Sequence, residues 1–416
     1  MSNRIYLAVP FADKDRAKAL GAYFDPMAKS WYVPPGLEVA PFAAWRPDQS
    51  AISHQADPRS LFAARLRDAG FILSAEHPIM DGQIHHCPVE GGKPYERPGS
   101  YRAFGDGVPN GWFQNFRQHD KAVKWVMRTQ IPRAARQAVR ALGAQHRQDA
   151  AAALKEAQDL AAMALQRLWD NGADDVSAHP YLAGKGITDA TGLRIAAPGA
   201  TVRTANADIS IAGRLLVPMR NIDGALRSLQ IIGDSGQKMF APGGEAAGSH
   251  LILDNLHSPW PLYFTEGYAD GNAIHAATGH AVVVTFSVHN LEPVARAYRA
   301  RFPQRTFFIC ADNDHRKERE TDAQGRPKKN VGREKAAAAA ERVKGHVLLP
   351  PFAATDSGKD WDDYRRQHGM DGLRLELTRQ IVSIDRRRIA RETAATRDDG
   401  RETQTQARCL SRWPAF

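Results

Sequence analysis

Four short apolar runs put the strongest constraint on how this chain folds. They are "PLYFT" (261–265), "HAVVVTF" (280–286), "RTFFICA" (305–311) and "HVLLP" (346–350). Each has the length and β-branched or aromatic content of a strand buried on both faces. Helix-patterned stretches at 268–278, 291–301 and 331–344 separate them. Strands alternating with helices in this way build a parallel sheet with helices on its faces. The expected fold class is α/β, with a Rossmann-like, doubly wound parallel sheet over residues 261–365.

The rest of the chain reads as smaller modules. Residues 1–36 pattern as a small β-α-β module, 37–59 as a Pro- and Ala-rich linker, and 60–128 as a β-rich region with many glycine turns. The composition of 129–178 is helical: Leu154, Ala157, Ala161, Leu165 and Leu168 keep one face apolar, and Arg133, Arg136, Arg140 and Arg147 recur along a face upstream. That arginine stripe is either a solvated face or a surface for a polyanion. Residues 179–260 alternate around Asp-Gly and Gly turns, as antiparallel hairpins do, and give a mixed α+β region ahead of the parallel sheet. Arg-, Thr- and Gln-rich sequence from 385 to 416 reads as a disordered basic tail.

The 56 Lys plus Arg against 46 Asp plus Glu leave a charge of +10, which favours a polyanionic partner such as nucleic acid. Cys87, Cys310 and Cys409 form no CxxC pair, which argues against a disulfide framework and a zinc ribbon. No stretch reaches eighteen uncharged apolar residues. A cytoplasmic protein without a membrane span is expected.

In a parallel sheet of this kind, ligands gather at the carboxyl ends of the strands. Glu266 directly follows the first run, and Asp312 and Asp314 follow the third. Side chains two apart in an extended segment point the same way, so Asp312 and Asp314 face one point. Carboxylates brought together there repel unless cations intervene, and hard divalent ions with oxygen ligands fit best. The run "GKDWDDY" adds Asp360, Asp362 and Asp363 beyond the last strand.

These residues carry a family resemblance. Glu266-Gly267, Asp312-x-Asp314 and the later acidic run resemble the Toprim domain of bacterial-type primases, topoisomerases and some nucleases. "EGYADGNAIHAATG" is similar to the EGYATA signature of the alpha-type primases of conjugative plasmids and satellite phages. "HPYLAGKGI", "RLLVPMRNIDGALRSLQIIGDSGQKMF", "NVGREKAAAAA" and "KDWDDY" follow their order over about residues 60–365. The first module is similar to a small plasmid-associated domain of unknown function (DUF5710). Asp270 and Gly271 stand where those primases carry Thr and Ala, and neither a zinc ribbon nor a G-x-x-x-x-G-K-[ST] phosphate loop is present.

The resemblance implies a DNA primase for plasmid or mobile-element replication or conjugation, making short primers on single-stranded DNA from nucleoside triphosphates. The same acids would also serve a Toprim nuclease, and a decayed site would leave a non-catalytic nucleic-acid-binding protein. Mg²⁺ or Mn²⁺, and no zinc, is the implied cofactor, with a separate replicative helicase as a further partner. By resemblance Asp312, Asp314, Asp360 and Asp362 hold metal, and Glu266 is a ligand or the general base. Lys238, Arg214, Arg220, Arg227, Lys185 and Lys335 are the implied nucleotide and template contacts. Two groups of residues have structural readings beside functional ones. His77, His85, His86 and Cys87 read as structural, because adjacent strand residues point to opposite faces. Tyr6, Tyr23, Phe24, Trp31 and Tyr32 stack on bases or fill the core of the first module, core being favoured for most.

Overall fold

The computed structural model describes residues 4–47, 57–93, 96–105, 108–118, 121–127, 135–204, 207–257, 259–321, 328, 330–353 and 355–398. The chain divides into two compact units, Met1–Glu156 with Asp322–Gln324, and Ala157–Thr321 with Gly325–Phe416.

The first unit begins with β1 (Ile5–Leu7), α1 (Lys14–Ala19), β2 (Tyr23–Asp25) and β3 (Ser30–Val33), whose strands form an antiparallel sheet in the order β1-β3-β2. The β-α-β expectation lacks β2, a three-residue strand whose rings at 23 and 24 face outward. The stretch read as a linker contains a 3₁₀ turn, Ala40–Trp45, that buries Phe42 and Trp45 against Leu7, Val9 and Val33. Trp45 Nε1 donates to Asp13 at 2.9 Å, so this turn completes the module's core.

α2 (Pro58–Asp68) follows, started by Asp57, whose carboxylate accepts the Arg59 and Ser60 N–H groups with proline at the first helical position. Its Phe62 and Leu66 pack on the antiparallel meander β4 (Asp81–Cys87), β5 (Gly99–Phe104), β6 (Asn110–Asn115) and β7 (Val123–Val126). Cys87 lies in that core, His86 is exposed, and His85 pairs with Asp81 at 2.8 Å. The boundary between the units falls within α3 (Ala135–Asp170). Early in α3, Ala141 and Ala144 pack on Tyr6, whereas Leu154, expected on the buried apolar stripe, is 59% exposed.

In the second unit, Leu165 and Trp169 of α3 are buried against Leu216, Leu229 and Ile231. Next come α4 (Pro180–Lys185), β8 (Arg194–Ile195), β9 (Thr201–Arg203), β10 (Asp208–Ser210), β11 (Leu215–Arg220), β12 (Leu226–Ile232) and β13 (Lys238–Phe240). β13-β12-β11-β8 is an antiparallel sheet and β9-β10 a separate hairpin.

The apolar runs then deliver a five-stranded sheet. Its elements are β14 (Leu251–Leu253), β15 (Leu262–Thr265), α5 (Tyr268–Thr278), β16 (Val282–Val284), α6 (Val288–Arg301), β17 (Phe307–Cys310), α7 (Val331–Arg342), β18 (His346–Leu348) and α8 (Trp361–Asp398). The order is β14-β16-β15-β17-β18, with β15 to β18 parallel and β14 an antiparallel edge. One face packs on Leu291, Val294, Tyr298 and Ala339, the other on Ile274, Trp361, Leu373 and Leu377.

Gly271 lets α5 lie close on the sheet, since a Cβ there would meet Val284 Cγ2 at 2.5 Å. α8 is broken at Gly369 (φ 74°) and continues through 385–398, which corrects the expectation of disorder over that stretch; residues 399–416 lie outside the described residues. Among the described residues no helix is long and apolar enough to cross a membrane.

Candidate active site

β15 ends at Thr265, whose carbonyl accepts both the N–H and the hydroxyl of Thr285, at 2.9 and 3.0 Å. That clasp fixes the exit of the strand, so Glu266 emerges at the carboxyl edge of the sheet, half-buried. Burial pushes the Glu266 carboxyl up, and Lys359 and the Val288 N–H at the start of α6 pull it back.

On the neighbouring strand, Asn313 does the positioning. Its buried amide donates to the Pro350 carbonyl and accepts from Asn330 Nδ2, each at 3.0 Å, and its N–H donates to the Lys359 carbonyl at 2.6 Å. Asp312 and Asp314 stand one residue to either side, and the Asp314 charge acts on both Asp312 and Glu266. The Asp312 carboxyl is pushed up to about 7, first by burial and then by Glu266, with Asp360 and Asp314 adding to the effect and Lys359 opposing it. Lys359 Nζ lies 3.6 Å from Asp312 Oδ2, and Lys317 Nζ 2.6 Å from Asp314 Oδ2. The cluster thus holds ammonium groups as countercharges, and its carboxylates keep Lys359 charged above its ordinary range.

Asp360 starts α8: its Oδ1 accepts the Asp363 N–H at 2.8 Å, while Asp363 Oδ2 accepts the Lys359 N–H at 3.1 Å. Burial raises the Asp360 carboxyl as well. Asp270 joins this group from the first turn of α5. It is buried, accepts the Asp362 N–H at 2.9 Å, and is held well above the ordinary range by burial and by Asp360 and Asp312.

Sequence alone marks Asp270 only as a departure from the family signature and gives Lys359 no role. The available signal for Lys359 is a lone lysine beside Asp360 just past a strand end.

Ion pairs inside the fold engage three of the expected site residues, Asp362, Lys185 and Arg227. Asp362 is 1% exposed, with Oδ2 on Lys185 Nζ at 2.6 Å and Oδ1 on Arg365 at 2.8 Å. Both Asp362 oxygens are thus engaged by cations of the fold, and Lys185 is one of them. Likewise Arg227 pairs with Asp159 at 2.6 Å and Glu245 at 2.7 Å. Arg220 Nη1 donates to the Gly224 carbonyl of its own turn at 3.1 Å, and Arg214 Nη1 reaches Met239 Sδ at 3.9 Å.

Lys238 remains the strongest of the basic group. It is exposed at the start of β13, with Nζ 5.7 Å from the Tyr181 ring centre. The surrounding protein lowers its ammonium, and Asp270 and Asp360 counter that. Lys335 is exposed three residues after Gly332, whose Cβ position lies 3.0 Å from the Asp312 carbonyl, so it shares the side of α7 that passes the site.

Among the described residues no three His, Cys, Asp or Glu side chains form a ready-made metal cage. The donor set is nevertheless all hard oxygen, gathered at one sheet edge and partly neutralised by lysines. That suits a hard divalent cation, which takes carboxylate oxygens and completes its shell with water and phosphate oxygens.

A parallel sheet with these acids at its carboxyl edge defines a class, and residues 262–371 match the model of the Toprim domain. Residues 4–47 match a domain of unknown function (DUF5710). Two curated relatives from Escherichia coli, each called DNA primase TraC, are 32% identical to this chain. The matches run over 364 and 358 residues, covering 85% and 84% of the chain but only 24% and 32% of the relatives' own length. The chain therefore spans about a quarter to a third of these relatives. Among solved structures, the DnaG primase catalytic domain bound to ssDNA shares 13% identity over 55% of this chain and 82% of that one, at a TM-score of 0.36, too distant to carry a conclusion.

Proposed function

We propose that this chain is a DNA primase that makes short primers on single-stranded DNA from nucleoside triphosphates, as a cytoplasmic protein serving plasmid or mobile-element replication or conjugation beside a separate helicase. The observation that carries the reading is the meeting of Glu266, Asp312 and Asp314 at one edge of a Toprim sheet, within a chain 32% identical over 364 residues to a DNA primase. The reaction joins a 3′-oxygen to the α-phosphorus of an incoming nucleotide, breaks the bond to pyrophosphate and releases the hydroxyl proton. Asp312, Asp314 and Asp360 would hold Mg²⁺ or Mn²⁺. The bound ion would acidify the hydroxyl and neutralise charge on the phosphates.

The chain's own residues supply the rest. Glu266, raised by burial, is placed to take the proton. Lys238 and Lys359, both within electrostatic reach of Asp270 and Asp360, offer cations to the triphosphate. Asn313 holds the Asp312–Asp314 segment in register. Asp312→Ala is expected to abolish nucleotide incorporation while single-stranded DNA binding and the melting transition persist. Metal-dependent shortening of the template without new product would replace this reading with a nuclease, and full incorporation by Asp312→Ala would remove the site assignment.

A further inference from the structure

The site above leaves the first module unused, although one of its faces exposes what a small domain ordinarily buries. Phe11 is 78% exposed and Phe24 50%, in a module whose core is a handful of side chains. The two rings are held rather than loose. Phe24 sits edge-on to Trp31 with ring centres 5.6 Å apart, and Lys14 Nζ stands 4.3 Å from the centre of the Phe11 ring. Both rings open onto a cleft of about 600 Å³.

The charge around that cleft has one sign: its charged lining residues are Lys14, Lys29 and Arg140, with no Asp or Glu. Three acids adjoin lining residues in sequence: Asp25 is occupied by the Tyr6 hydroxyl at 2.7 Å and the Met27 and Ala28 N–H groups, Asp13 accepts Trp45 Nε1 at 2.9 Å, and Asp15 is exposed beside Lys14 but does not line the cleft. Arg140 also lines a second cleft of about 250 Å³ with His146 and Arg147. Arg140 and Arg147 are seven residues apart on α3, about 10 Å of helix rise, so cations follow one another along a track.

Flat apolar rings in a cleft whose charged lining is all cationic match a ligand with exposed aromatic faces on an anionic backbone. Single-stranded DNA has that chemistry; a duplex hides its base faces, and an acidic peptide has no use for the rings. We infer that the cleft of the N-terminal module binds single-stranded DNA, seating bases on Phe11 and Phe24 and the phosphate backbone on Lys14, Lys29 and Arg140. This rests on the module and the first turns of α3, both in the first unit, and does not depend on the proposed chemistry of the second unit.

The test uses the full chain and an oligonucleotide carrying 5-iodouracil, which photocrosslinks to neighbouring aromatic residues, with crosslinked peptides mapped by mass spectrometry. Crosslinks are expected within residues 4–47, competed by unlabelled oligothymidylate far better than by duplex. Phe11→Ala with Phe24→Ala should weaken binding at this site roughly tenfold or more. Because both rings are exposed, that pair should melt as the unmutated protein does. Lys14→Gln with Lys29→Gln should lower the salt dependence by about 0.7 for each phosphate left without its cation. Primer synthesis, read separately on the same proteins, distinguishes failure here from failure of the active-site reading. The inference is overturned if residues 4–47 take no crosslink, if duplex competes equally, or if crosslinking there survives both pairs of substitutions.

Discussion

Asp312→Asn should make the metal-free protein more stable at pH 8, although it removes a central site residue. The Asp312 carboxyl is pushed from 3.8 to about 7 in the folded chain. Each pH unit of such displacement is worth about 1.4 kcal/mol, so the ionised side chain costs at most about 4 kcal/mol in the folded state. The unfolded chain gives up this proton near 3.8 and the folded chain keeps it to about 7. Between those values the unfolded state binds fewer protons, so stability falls as pH rises. The cost is absent below about pH 4 and complete above about pH 7.

Asparagine keeps the side-chain shape and removes the charge, at the loss of the 3.6 Å pairing with Lys359 already included in that net figure. Thermal melting with a chelator at pH 4, 6 and 8 should show the variant above the unmutated protein by a gap that widens with pH. At roughly 2 to 4 °C per kcal/mol for a unit of this size, the gap at pH 8 is several degrees. Added Mg²⁺ should close the gap by stabilising only the unmutated protein, with an affinity that climbs through pH 7. A variant less stable than its parent at pH 8 without metal would refute the reasoning, because Asp312 would then gain more from Lys359 than it loses to burial and to Glu266.

Asp362→Ala leaves the half-buried Lys185 and Arg365 without the carboxylate they share and should cost up to about 3 kcal/mol, read by urea unfolding; an unchanged midpoint would remove its structural role. Lys238→Ala and Arg227→Ala should separate cleanly. The first raises the KM for nucleoside triphosphates with little change in melting. The second lowers the melting temperature by breaking the pairs to Asp159 and Glu245, and leaves KM unchanged.

The parallel sheet and its three leading acids are legible in the sequence because local pattern and position coincide there. Uniformly apolar strands end abruptly, and Glu266, Asp312 and Asp314 stand at those ends. What stays hidden depends on partners distant in sequence. Lys185 meets Asp362 across 177 residues and Arg227 meets Asp159 across 68, and no local pattern announces such a pair. Asp270 reads as an ordinary first-turn helix acid until the fold buries it beside Asp312 and Asp360. β14 pairs antiparallel at the edge of the parallel sheet, yet its three residues look like one more hairpin strand. Phe42 and Trp45 are obscured by a Pro- and Ala-rich stretch whose composition outweighs two large apolar rings.

The central claim is that the acids at this sheet edge join nucleotides on a DNA template. It is tested most directly by incubating the purified chain and Glu266→Gln with single-stranded DNA, four ribonucleotides, one of them labelled, and Mg²⁺ or Mn²⁺. Short labelled products that require template and metal, made by the unmutated chain and absent with Glu266→Gln, are the predicted result. Products of equal yield from both proteins, or none from either while template is bound, would contradict it.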